Sequence, residues 1–133
     1  MMNMKGAPVI ALALFFGLCG MSFGADDQSI KDQTREGIQS AMKSHIDGNS
    51  VDGKYVIYDA VDGKLRKLKF VKVHEGVMKN DGFYVSCADF VDDGGNKYDL
   101  DLLAIDKGGS FQVLETVVHA INGEKRKYHL EDK

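Results

Sequence analysis

The amino-acid sequence predicts an α+β fold in which one N-terminal amphipathic helix packs on a curved antiparallel meander sheet of five or six strands. Apolar residues at helical spacing come first, and short β-type runs separated by glycine-containing turns follow. The only proline is Pro8, so no predicted strand is interrupted by one. The 133 residues allow one domain. Because the links are short, neighbouring strands are expected to be antiparallel, and the helix must bury its apolar face on the sheet.

The predicted helix covers residues 26–48. Its apolar stripe contains residues spaced by three and four, namely Ile30, Thr34, Ile38, Ala41, Met42, His45 and Ile46. Asp26 and Asp27 lie where the helix dipole favours negative charge, and Ser29 or Asp27 is the expected N-cap. Gly37 costs about 1 kcal/mol relative to alanine inside a helix, so it marks a close approach to another element or a bend.

The predicted strands cover residues 55–61, 65–75, 83–91, 97–106 and 111–122, with a short last strand at 126–130. Asp62-Gly63 is a hairpin signal between the first two strands. Residues 76–82 are expected to form a looser connection. The segment from Asp92 to Asn96 superficially resembles a calcium loop, but it lacks the length and the distal glutamate of an EF-hand and is better explained as a turn.

The order and length of these elements resemble the cystatin-like and nuclear-transport-factor-2-like rolls over nearly the whole predicted mature chain. The resemblance implies a sheet that curves around the helix, and enzymes of the nuclear-transport-factor-2-like shape place polar groups in the cone between the two. It also implies pairing of two copies through the outer sheet face. The Gln-x-Val-x-Gly loop of cystatin inhibitors is missing from the expected hairpins, which argues against protease inhibition.

The first 24 residues have the layout of a secretory signal peptide. A short n-region with Lys5 precedes an apolar run of 12 residues at 7–18, and Ser22 and Gly24 favour cleavage after Gly24. We therefore predict a signal peptide at 1–24, one domain at 25–133, and a periplasmic or secreted protein. The apolar run is shorter than a membrane span needs, so an uncleaved anchor is the minor alternative. Lipidation at Cys19 is disfavoured because the bulky Leu18 precedes it.

Charge and cysteine content limit the classes of function. The leader contains one of the 17 Lys and Arg residues, so the mature chain has a net charge of about −4 with its charges mixed along the sequence. No basic stripe indicates nucleic-acid binding. Cys87 is the only cysteine after the leader, which rules out an intramolecular disulfide and fits a bacterial periplasm.

No motif predicts a catalytic residue, a cofactor or a metal ion. The four histidines show no recognised ligand spacing, and they are His45, His74, His119 and His129. Cys87 could be a reactive thiol, but it is better explained as a small buried hydrophobe. The basic run from Lys64 to Lys72 is typical of a solvated strand face, with an acidic partner or anionic lipid as the alternative.

A register estimate suggests a candidate ligand site. If Val91 pairs with Asn96, and Asp106 with Phe111, one sheet face carries a polar row across neighbouring strands. This face should lie under the helix, and its candidate ligand-binding residues are Asp89, Tyr98, His119, Glu115 and Cys87. The competing explanation of the row is a structural hydrogen-bond network. The opposite face would then carry an apolar strip suited to a homodimer, formed by Leu103, Ile105, Leu114 and Val118.

Three functions remain open on this basis. The first is an exported, non-enzymatic binding or interaction domain for an unidentified protein or small molecule. The second is a small-ligand carrier or enzyme with a pocket between helix and sheet, in which Asp89, Tyr98 and His119 support acid–base work. The third is a protease inhibitor or chaperone-like partner that binds through a hairpin tip or a free strand edge.

Overall fold

The computed structural model describes residues 26–127. The predicted signal peptide, and residues 128–130 of the predicted last strand, lie outside this range. Within residues 26–127, no helix is both long enough and apolar enough to cross a membrane.

The described chain forms one helix and one antiparallel sheet. The elements are α1 (Asp32–Gly48), β1 (Ser50–Val51), β2 (Lys54–Asp59), β3 (Lys64–Asn80), β4 (Phe83–Val91), β5 (Lys97–Asp106), β6 (Phe111–Ile121) and β7 (Glu124–Lys125). All neighbours in the order β1 to β7 pair antiparallel. The α+β class is therefore confirmed, but the prediction of five or six strands is wrong, because the sheet has seven. The added strands β1 and β7 contain two residues each, too few to show a periodic pattern.

The helix begins six residues later than predicted, at Asp32 rather than Asp26. The preceding segment is held by β3, since the Asp27 N–H donates to the Val77 carbonyl at 2.8 Å and Asp26 accepts from the Val77 N–H. Lys31 is the N-cap residue and makes no side-chain cap hydrogen bond. The two acidic residues therefore fasten the chain to the sheet instead of capping the helix.

Strand β3 continues through the region predicted to be a loose connection. Its pairing with β4 is irregular between Phe70 and Lys72 and again between Val73 and Val77, so β3 bulges twice. The Ser86 hydroxyl donates to the Gly76 carbonyl at 2.7 Å inside the second bulge. Strands β4 and β5 have the predicted bounds, and β6 ends one residue early, at Ile121.

The core lies between α1 and the sheet face that we call the inner face. Helix residues Ile38, Met42 and Ile46 join sheet residues such as Phe90 and Leu100 in one apolar cluster. Gly37 marks a close approach, as one of the two sequence explanations proposed, because a Cβ there would lie 2.9 Å from the Phe111 ring. The helix thus seals the inner face.

The predicted register fails at one turn and holds at the other. Val91 pairs with Lys97, not with Asn96, because the Asp92 carboxylate accepts from the Gly94 and Asn96 backbone N–H groups at 2.9 Å and lengthens the loop by one residue. Asp106 pairs with Phe111 as predicted, but two register shifts farther along β5 and β6 pair Tyr98 with Ile121 and not with His119. A one-residue slip exchanges the two faces of β4 relative to β5, so it places Asp89 and Tyr98 on opposite faces.

Candidate metal centre

Four polar side chains share the sheet face opposite α1, which we call the outer face. Cys87 and Asp89 are two positions apart on β4, and Asp99 and Asp101 are two positions apart on β5. The register places Cys87 beside Asp101 and Asp89 beside Asp99. Because alternate residues of a strand face the same side, the four groups form a compact square on two adjacent strands.

Two histidines reach this square from strand irregularities. His74 lies in the second bulge of β3, and its Nε2 is 2.7 Å from Asp89 Oδ1. His119 lies where the β5–β6 register shifts, and its Nδ1 is 3.0 Å from Asp101 Oδ2. We call the resulting six residues the outer-face cluster, and they are His74, Cys87, Asp89, Asp99, Asp101 and His119.

The helix holds the bulge that carries His74. The Gln39 side-chain amide donates to the carbonyls of His74 and Glu75, at 3.1 and 3.0 Å, and Arg35 approaches the Glu75 carbonyl at 3.5 Å. Backbone carbonyls released by an irregular strand need such donors. The position of His74 on the outer face therefore depends on side chains on the other side of the sheet.

Three residues of the cluster provide different metal-ligand atoms at short separation. An imidazole nitrogen of His74, the thiol sulfur of Cys87 and a carboxylate oxygen of Asp99 all lie within 4.8 Å of one another. Ligands of a tetrahedral zinc ion lie about 2.0–2.3 Å from the metal and therefore about 3.5 Å from one another. The three atoms, all within 4.8 Å of one another, are therefore close to the separation that such an ion requires.

The charge balance of the cluster favours a cation. Asp99 Oδ1 is buried and has no hydrogen-bond partner among residues 26–127. Burial raises the pKa of the Asp99 carboxyl, and the neighbouring Asp101 and Asp89 also raise that pKa, while His119 and His74 lower it. A buried carboxylate oxygen without a partner is costly, and a metal ion is one group that satisfies it.

The thiol of Cys87 is protonated in this arrangement. Its sulfur donates to Asp101 Oδ1 at 2.9 Å. Burial raises the pKa of the Cys87 thiol far above its usual range, and the negative charge of Asp101 raises that pKa further. A nucleophilic role requires a lowered pKa, so the environment argues against a reactive cysteine. A bound metal ion reverses this effect, because coordination deprotonates the thiol.

The structure brings together only part of the site predicted from the sequence. Asp89, Cys87 and His119 lie together in the cluster, but on the outer face and not under the helix. Tyr98 lies in the core on the inner face, where its hydroxyl donates to Asp92 at 3.1 Å. Glu115 is exposed on β6. A pocket between helix and sheet lined by Asp89, Tyr98 and His119 is therefore not formed. The longer loop after β4 places Tyr98 on the face opposite Asp89, and the register shifts between β5 and β6 pair Tyr98 with Ile121 and not with His119.

Sequence reasoning missed His74, Asp99 and Asp101 as members of a site. A usable signal was present in β5, where Asp99 and Asp101 alternate with the buried Tyr98, Leu100 and Leu102. His74 had no such signal. It contacts Asp89 only because β3 bulges, and the bulge depends on contacts with distant residues.

A second polar group joins the helix to two strands. His45 Nε2 is 2.9 Å from the Tyr55 hydroxyl, which is 2.8 Å from Thr116 Oγ1. These residues and Glu115 line an open cleft of about 460 Å³ between β2 and β6. Burial lowers the pKa of His45 and raises that of Tyr55. Each group satisfies the next, so we interpret the chain of hydrogen bonds as structural.

No family model, no curated protein and no solved structure matches this chain. The resemblance to cystatin-like and nuclear-transport-factor-2-like rolls stays a prediction.

Proposed function

We propose that this chain is an exported, non-enzymatic binding domain whose ligand is a divalent transition-metal ion, held by His74, Cys87 and Asp99. The observation that carries the proposal is the convergence of an imidazole, a thiol and a partnerless buried carboxylate oxygen within 4.8 Å. A site with one nitrogen, one sulfur and one oxygen donor is selective for the metal ion that it binds. It is unlike a surface group of acidic residues, which needs no ligand.

The donor types indicate the class of metal. Calcium and magnesium prefer oxygen ligands, whereas a thiolate and an imidazole suit zinc and its neighbours in the first transition row. Three protein ligands leave the fourth tetrahedral position for water or another group. Binding would release the Cys87 proton, since the thiolate is the coordinating form.

The remaining carboxylates of the cluster have a supporting role in this proposal. Asp89 accepts the hydrogen bond from one nitrogen of His74, which fixes the ring and leaves the other nitrogen with the lone pair. Asp101 orients Cys87 from one oxygen and contacts His119 with the other. Loss of such a supporting group typically lowers metal affinity about 10–100-fold.

The decisive experiment is a metal titration of the purified protein. We expect one zinc ion per chain by calorimetry, and a cobalt complex whose near-ultraviolet spectrum contains a sulfur-to-metal charge-transfer band. Cys87→Ser should remove that band, and Asp99→Asn and His74→Gln should each abolish stoichiometric binding. His45→Gln and Glu115→Gln are matched controls, because each changes the same residue type or charge outside the cluster.

Two results would reject the proposal. One is the absence of stoichiometric binding by a folded wild-type protein, with folding checked by circular dichroism. The other is an unchanged affinity in Cys87→Ser and Asp99→Asn, which would place any bound metal elsewhere.

Export from the cytoplasm and homodimer formation stay predictions. The apolar strip proposed for the dimer is interrupted, because Val118 belongs to the core beneath the helix. A dimer would therefore need other residues of the outer face.

A further inference from the structure

Most of the exposed large apolar side chains of the described chain lie on the hairpin formed by β2 and β3. Residues 26–127 have six large hydrophobic side chains that are mostly exposed, and four of them lie on this hairpin or directly after it in β3. They are Tyr58 at 63% exposure, Val61 at 71%, Leu65 at 60% and Val71 at 53%. Single exposed hydrophobes need no explanation, but a group of four on one element does.

The same hairpin carries lysines that have no acidic partner among residues 26–127. Lys64, Lys67, Lys69 and Lys72 are exposed, and none forms an ion pair with another residue of 26–127. Arg66 differs, because Asp59 and Asp62 bind its guanidinium. The hairpin is therefore a positive region on a chain whose net charge is negative.

The register places apolar and basic groups on the same side of the hairpin. Tyr58 is opposite Leu65, and Val56 is opposite Lys67, on the outer face. The alternate residues Tyr55 and Leu68 are buried in the core and hold the hairpin in place. We call the exposed side the hairpin face, defined by Tyr58, Val61, Leu65, Lys67 and Lys69.

We infer that the hairpin face docks on an anionic lipid surface. Lysines near such a surface are attracted to its negative charge, and each contributes about a fivefold gain in binding. Aliphatic and aromatic side chains between the lysines can enter the headgroup boundary, which favours lipid over a nucleic acid or an acidic protein. This inference does not depend on the metal site.

The test is sedimentation of the protein with phosphatidylcholine vesicles, with and without one part phosphatidylglycerol to two parts phosphatidylcholine. We expect binding to the anionic vesicles that weakens at high salt. The double substitution Lys67→Gln/Lys69→Gln should weaken binding about 25-fold, from two fivefold effects. Tyr58→Ser/Leu65→Ser should also reduce binding but leave its salt dependence. Lys43→Gln/Lys107→Gln removes two exposed lysines elsewhere and is the matched control.

Three outcomes would overturn the inference. The first is equal binding to neutral and anionic vesicles that the lysine substitutions do not change, which would assign the attachment to the apolar leader. The second is equal weakening by the control pair. The third is retention of the protein by a DNA duplex and not by vesicles, which would identify a phosphate polymer as the partner.

Discussion

Two carboxylates on opposite faces of the sheet, the buried Asp59 and the half-buried Asp99, have very different surroundings. Asp59, on the inner face, accepts hydrogen bonds from Arg126 at 2.6 Å and from Arg66 at 2.9 Å. Asp99, on the outer face, has one buried oxygen without a partner in the described chain, and its charged neighbours include two further aspartates. The first arrangement is complete as it stands, whereas the second gains from a cation. Compensation of charge therefore separates a structural carboxylate from a candidate ligand.

The pKa directions follow the same division. Burial acts to raise the pKa of Asp59, but the hydrogen bonds from Arg126 and Arg66 outweigh it and hold that pKa far below its usual range. For Asp99, burial raises the pKa and outweighs the lowering by the nearby His119 and His74. Burial alone thus does not identify a site, because both side chains are largely shielded from water.

The largest loss of stability is expected from substitution of Asp59. Asp59→Asn removes the buried charge between two half-buried guanidinium groups, and breaking a buried ion pair by removing one partner costs about 3–5 kcal/mol. Urea unfolding measures the loss of unfolding free energy. Asp62→Asn is the matched control, because Asp62 contacts the same two arginines but is more exposed, and it should cost far less. Equal losses in the two variants would show that Asp59 is not specially compensated.

A metal ion should stabilise the outer-face cluster and leave the Asp59 group unaffected. With free zinc at about 100 times its dissociation constant, the unfolding free energy should rise by about 2.7 kcal/mol. The rise should be absent in Asp99→Asn and in Cys87→Ser, measured in the same urea titration with and without zinc. A rise of similar size in those variants would contradict the assignment of the ligands.

Without metal, replacement of Asp99 by asparagine should change the unfolding free energy in the direction opposite to the replacement of Asp59. Asp99→Asn removes a poorly compensated buried charge, so the metal-free variant should be more stable than the wild type by an amount on the order of 1 kcal/mol. Chemical unfolding in the presence of a chelator measures this difference. A clear loss of stability in Asp99→Asn would mean that the carboxylate is already satisfied.

The pH dependence distinguishes the two carboxylates by sign, because they should give opposite slopes of stability against pH. The folded pKa of Asp59 is lowered, so its stabilisation is present above the unfolded value of about 4 and is lost as the pH falls below it. The folded pKa of Asp99 is raised, so metal-free stability falls as the pH rises from about 4 through that raised pKa. Subtracting the profile of each Asn variant from the wild-type profile isolates each slope. Slopes of the same sign for Asp59 and Asp99 would contradict the opposite pKa shifts of the two carboxyls.

Local patterns in the sequence predicted the class of fold and the extents of the middle strands. The alternation in β4 and β5 and the glycine turns around them are short-range features, so their bounds could be read directly. The helix stripe at Ile38, Met42 and Ile46 was likewise local. The start of the helix was not a local feature, because it depends on the pairing of Asp26 and Asp27 with Val77, which lies about fifty positions away.

The site was predictable only in part. Cys87, Asp89 and His119 were named from the sequence, but with Tyr98 and on the wrong face. One added residue in the loop at Asp92 separated Tyr98 from Asp89, and the register shifts between β5 and β6 separated Tyr98 from His119, since the side-chain period of a strand is two. Two strands of two residues each, β1 and β7, also escaped detection and made the strand count too low.

The sequence by itself determined an α+β domain, the positions of its central strands and the alternation that brings Asp99 and Asp101 to one face. Only the tertiary structure decided that His74 joins them, because a bulge in β3 held by Gln39 from the helix turns its ring toward Asp89. Periodicity follows from neighbouring residues. Register and bulges follow from hydrogen bonds between distant ones, and the cluster depends on both.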